Sequence, residues 1–94
     1  MSRITEAEIA AVVEQILSER PSGEATIAAL IAEIPNRVRL SPEDLALSPT
    51  RNAEAVWEQQ VRNITSHKDS PGNAIYEGRL APIAGGLRLV RRAA

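Results

Sequence analysis

The chain has 94 residues, 44% hydrophobic and 24% charged; this composition excludes a disordered polypeptide and leaves room for one modest core. It has no cysteine, which excludes disulfides, thiolate metal sites and a cysteine nucleophile, and with neither a membrane-length apolar run nor a secretory signal it reads as a single cytoplasmic domain over residues 1–94. The net charge of −1 hides a division: residues 1–50 carry four arginines against eight acids, and residues 51–94 carry seven basic residues against four acids.

Thr5-Glu6-Ala7-Glu8 has the form of a capping box. Behind it Ile9, Val12, Val13, Ile16 and Leu17 mark one stripe of a helix, which Pro21-Ser22-Gly23 stops near Arg20. Glu24-Ala25-Thr26 is short enough to be a strand stub. A second helix follows with Ile27, Leu30, Ile31 and Ile34 on one face, ended by Pro35. Ser41-Pro42-Glu43-Asp44 starts a third, short helix, with Ser41 as N-cap and acids at its positive end. A longer fourth helix is expected over about 52–68, before Ser70-Pro71-Gly72-Asn73. Beyond it the period changes, and 74–80 and 87–91 read as two strands joined by residues 81–86.

Three main helices, one short extra helix and a C-terminal β-hairpin wing over about 74–91 give an α+β chain. That is the order of a winged helix-turn-helix domain. In the fourth helix Trp57, Val61 and Ile64 form a narrow buried seam. The opposite side collects Asn52, Ala55, Gln59, Arg62, Asn63 and Ser66. Arg, Asn and Gln are the side chains that make paired hydrogen bonds to guanine and adenine edges in the major groove, so this helix reads as a recognition helix. Arg51, Lys68, Arg79 and Arg88 suit phosphates, the last two depending on strand register. The alternative is a polar helix surface closed by local Gln–Arg hydrogen bonds.

His67, the only histidine, has no evident carboxylate partner in the sequence. It reads as a helix-end residue stabilised by the helix dipole or as a phosphate contact. No phosphate loop, nucleophile elbow, HExxH or dinucleotide fingerprint is present. No enzyme, metal site or cofactor is therefore expected.

Ser48-Pro49-Thr50-Arg51-Asn52, Trp57-Glu58-Gln59-Gln60-Val61-Arg62-Asn63, Ser66-His67 and Gly72-Asn73 together resemble the winged-helix modules appended to bacterial restriction endonucleases of the HNH and Mrr types. The resemblance spans about residues 38–90; the first two helices match only in layout. It implies binding of double-stranded DNA through the helix bearing Gln59, Arg62 and Asn63, with the hairpin as wing. Relatives that read methylated adenine make a modification reader one implied function. Trp57 or Ala55 would then be the side chain meeting the methyl group, although Trp57 also reads as core. The nuclease part of such proteins has no counterpart here, so cutting would require a domain elsewhere. A homodimer on two half-sites is a second expectation, from the few base pairs that one helix reads. The competing expectation is a protein-interaction or dimerisation module on the same scaffold, because the acidic first half would repel DNA.

Overall fold

The computed structural model describes residues 3–49 and 53–91; Arg51 and Asn52 lie outside them. Helix α1 (Glu6–Ser18) begins with the expected capping box: Glu8 N–H donates to the Thr5 hydroxyl at 3.1 Å and Thr5 N–H to the Glu8 carboxylate at 2.9 Å. Strand β1 (Glu24–Thr26) leads directly into α2 (Ile27–Glu33), whose first turn is capped by Thr26. Proline ends α2 gently, since Ile34–Asn36 forms a 3-10 turn before the chain leaves the helix axis.

The short helix α3 (Pro42–Leu45) is the most tightly fixed segment of the connection to α4 (Val56–Ser66). Asp44, only 2% exposed, accepts from Ser41 N–H at 2.9 Å and Ile4 N–H at 2.8 Å, while its own N–H donates to the Ser41 hydroxyl. Burial pushes this carboxyl up, but the backbone donors of Ser41 and Ile4, the Ser41 hydroxyl and the charge of Arg3 together hold it below its ordinary range. A depressed carboxyl stabilises the fold above about pH 4, and that contribution is lost as the pH falls through the lowered value. Asp44→Asn is therefore expected to lose about 1–3 kcal/mol at pH 7. Melting curves at pH 7 and pH 3 check this: the gap to the parent should narrow at pH 3, and an equal gap at both would contradict the assignment.

Helix α4 starts four residues later than the sequence pattern suggests. Residues 53–55 are diverted into a short antiparallel contact: Leu47 pairs with Ala55, Ser48 N–H donates to Glu54 O at 2.8 Å, and Val56 N–H to Ala46 O at 2.8 Å. The Ala55 N–H is then taken by Glu58, so the helix begins there.

Residues 74–80 are not the expected strand. The Asn73 side-chain oxygen accepts from Ile75 N–H at 2.8 Å and Tyr76 N–H at 3.1 Å, which caps a helical turn over 74–78. Gly78, at φ 80°, ends the turn. The strands are shifted accordingly: β2 spans Leu80–Ile83 and β3 Gly86–Leu89, joined by Ala84 and Gly85 alone. Pro82 has no N–H to give, and β2 tolerates it because it is an edge strand.

The three strands form one antiparallel sheet in the order β1-β3-β2, with Ala25 opposite Leu87 and Leu80 opposite Leu89. Leu87 and Leu80, with Ala25 beside them, turn inward to meet Ile9, Val13 and Leu17 of α1, Leu30 and Ile34 from the α2 region, and Trp57, Val61 and Ile64 of α4. The described residues thus form a small α+β domain of four α-helices and a three-stranded sheet. Among the described residues no helix is long and apolar enough to cross a membrane.

Candidate nucleic-acid interface

Helix α4 lies on α1 and α2 through the seam of Val56, Trp57, Val61 and Ile64. Geometry at 100° per residue places Gln59, Arg62, Asn63 and Ser66 on the opposite side, as the sequence implies. Only Ser66 of these is fully exposed; the other three are half-buried and engaged. The Ser48 hydroxyl donates to Gln59 Oε1 at 2.7 Å, which ties the helix to the preceding loop. The Arg62 guanidinium donates through Nε to Glu54. Asn63 Nδ2 donates to Gln60 Oε1 at 3.1 Å, and the Ser66 hydroxyl turns back to Arg62 O at 3.3 Å.

The helix carries the local polar closure that the sequence left as an alternative, although built with other partners. Glu54 was not visible as the companion of Arg62, because it precedes the helix and the pair does not follow helical spacing. Trp57 is 5% exposed and belongs to the core, so it is not placed to meet a methyl group; Ala55 is also buried.

The remaining basic residues separate into two groups. His67, for which the sequence suggested no acid, has its Nδ1 2.6 Å from Glu6 of α1, and the other Glu6 oxygen accepts from Asn73 at 3.0 Å. Lys68 reaches Asp69 at 3.4 Å. Arg79 precedes β2 and faces Glu14 of α1 at 3.3 Å, with Glu77 at 3.8 Å. Arg88 lies on the outer face of β3, exposed and opposite Glu24 and Ala81 in register. Arg79 and Arg88 stand away from the hairpin turn, and the segment Ile83-Ala84-Gly85-Gly86 presents no cation to a ligand.

The place where helix and hairpin meet is a cleft of about 280 Å³ lined by Ile27, Arg62, Thr65, Pro82, Ile83 and Gly86. Its hairpin wall is fixed, since Ile27 N–H donates to Gly85 O at 2.9 Å. Arg62 is the one cation of this cleft. The structure thus sets Gln59, Arg62, Asn63 and Ser66 on one side of α4, but of these and of His67, Lys68, Arg79 and Arg88 only Arg62 lines the cleft. The described residues contain no cluster of three or more metal-ligating side chains.

Comparison with protein-family models, curated proteins and solved structures finds no match for this chain.

Proposed function

We propose that this domain binds double-stranded DNA in the manner of a winged helix, with α4 in the major groove and the β2–β3 hairpin beside it. The observation that carries the proposal is the strip of Gln59, Arg62, Asn63 and Ser66, turned away from the core, of which Arg62 lines the cleft beside the hairpin. The order β1-β3-β2, with a hairpin following the candidate reading helix, supports the same assignment. Arg62 would exchange its Glu54 partner for a base edge or phosphate. DNA therefore competes with an internal carboxylate, and affinity is set partly by that ion pair.

Fluorescence anisotropy on duplex pools, adenine-methylated and unmethylated, at two salt concentrations tests this reading. Binding is expected to weaken with salt, each displaced phosphate counterion adding about −0.9 to the log–log slope. Arg62→Ala should weaken binding to the preferred duplex by about 5- to 150-fold, the equivalent of one lost bidentate base contact. Glu54→Gln should strengthen binding by releasing Arg62. Unchanged affinity in both variants would remove α4 from the interface. A preference for the methylated pool would identify a modification reader.

A second reading rests on Leu45 and Leu47, 57% and 69% exposed beside the start of α4. Two large apolar side chains left in water next to each other suit a protein contact. Flat anisotropy at low salt, with a dimer in sedimentation velocity that Leu47→Lys dissolves, would favour this interaction module over DNA binding.

A further inference from the structure

A second cavity lies away from the cleft beside Arg62. It is a groove of about 560 Å³ between the start of α1 and the irregular segment leading into α3. Ile4, Ala11, Val12 and Val38 line its apolar part, and Arg3 and Arg39 stand at its rim. It shares no lining residue with the cleft beside Arg62.

The contrast in charge pairing is informative. Arg37 is held by Glu19 and Glu33, Arg62 by Glu54, Arg79 by Glu14 and Lys68 by Asp69. Arg3 and Arg39 are exposed, and among the described residues neither makes a contact ion pair or side-chain hydrogen bond; Arg3 acts on Asp44 through its charge alone. The two acids of the groove are already committed. Glu8 accepts the Thr5 N–H, and the buried Asp44 accepts from Ile4 and Ser41. The bonds from Asp44 also join the two walls, because Ile4 precedes α1 and Ser41 precedes α3. The groove is therefore preformed, apolar inside, and bordered by two arginines that no described carboxylate holds in a contact pair.

We infer that this groove docks a short segment of a partner protein in which an aliphatic side chain is flanked by acidic residues. The aliphatic group enters between Ile4, Val12 and Val38, and the flanking carboxylates meet Arg3 and Arg39. A guanidinium pairs with a carboxylate in a two-pronged geometry that fixes orientation, while the apolar contact supplies the burial. The occupant is distinguished from nucleic acid by this combination: a phosphate backbone would match the arginines but has nothing to place among four aliphatic side chains. The groove shares no lining residue with the cleft beside Arg62, although Gln60 of α4 donates to Ile4 O at 3.4 Å.

The test is an amide NMR titration of the full chain with a pool of capped eight-residue peptides carrying leucine or isoleucine between aspartates or glutamates. A second pool replaces the acids by lysine, and a third arm uses a random duplex. Shifts confined to Ile4, Ala11, Val12, Val38 and their neighbours, seen with the acidic pool alone, are expected. The Arg3→Glu/Arg39→Glu double variant should weaken that binding at least tenfold; both side chains are exposed, and its unperturbed amide spectrum would show that the fold survives. Equal shifts with the lysine pool, unchanged affinity in the variant, or no shifts at millimolar peptide would each overturn the inference. Shifts of the groove by duplex alone would assign the two arginines to nucleic acid and overturn it too.

Discussion

Replacing Gly86 by alanine is expected to remove a large share of the stability of this domain. An ideal Cβ at position 86 would lie 2.1 Å from the carbonyl oxygen of Ala25 and 2.9 Å from the Cα of Thr26. Both are backbone atoms of the neighbouring strand, so no rotamer change relieves the clash. The strands must separate, and β1 is only three residues long, with Thr26 paired directly to Gly86. Overpacking of this kind costs about 3 kcal/mol or more, against a total of about 5–15 kcal/mol for an ordinary domain. Gly85→Ala provides the comparison. Gly85 has φ 69° but open space around its Cβ position, so its cost is conformational, about 1–2 kcal/mol. Urea unfolding of both variants separates the two effects. A Gly86→Ala protein no less stable than Gly85→Ala would show that β1 and β3 are not packed this closely.

Trp57→Ala is expected to cost about 3–5 kcal/mol, the range for emptying a large aromatic site in a core. Trp57 is the only tryptophan and is 5% exposed at the start of α4, beside Val61 and Ile64 on the same seam. The chain has no phenylalanine and its one tyrosine, Tyr76, is 53% exposed, so no second aromatic ring is packed in the core to fill the space. Unfolding followed by far-ultraviolet circular dichroism measures the loss. The same variant also separates structure from recognition: its DNA affinity should fall only in proportion to the unfolded fraction. A stably folded Trp57→Ala protein with selectively lost binding to methylated duplex would place the indole at the ligand instead.

Much of the helical frame is legible in the sequence because its signals are local. Thr5 with Glu8 closes the capping box that the spacing implies, and Ser41 is the N-cap expected of it, with Asp44 completing a box there as well. The apolar stripe of α4 is buried as its period requires, and that of α1 is too except for Val12, which stays half-buried at the groove. The misread parts depend on contacts between distant residues or on one side chain outcompeting a pattern. Nothing near residue 53 announces that Leu47 will pair with Ala55 and delay α4. At 74–80 the alternating pattern yields to Asn73, whose side chain supplies the turn with its hydrogen bonds; Asn73 ahead and Gly78 behind were the available signal. The strip on α4 could be placed from periodicity alone, but its engagement could not. Glu54, Ser48 and Glu6 meet Arg62, Gln59 and His67 only after the chain has folded back. Arginine at a suitable helical position therefore indicates where a cation lies, and the fold decides whether an acid already holds it.

The place of β3 in the sheet has a consequence for how the protein is made. β3 is the middle strand, yet it is the last element in chain order, and its partners are β1 near the beginning and β2 just before it. Neither edge strand touches the other, so nothing of the sheet except solvent-exposed backbone exists until residues 86–89 arrive. Closing β1 onto β3 joins Thr26 to Gly86 across most of the chain, a long-range step that slows folding relative to local helix formation. During synthesis the helices can form while β1 waits with its hydrogen-bonding groups open. Completion of the domain is thus coupled to completion of its final strand, and a chain released before that point carries helices without a sheet to close their core.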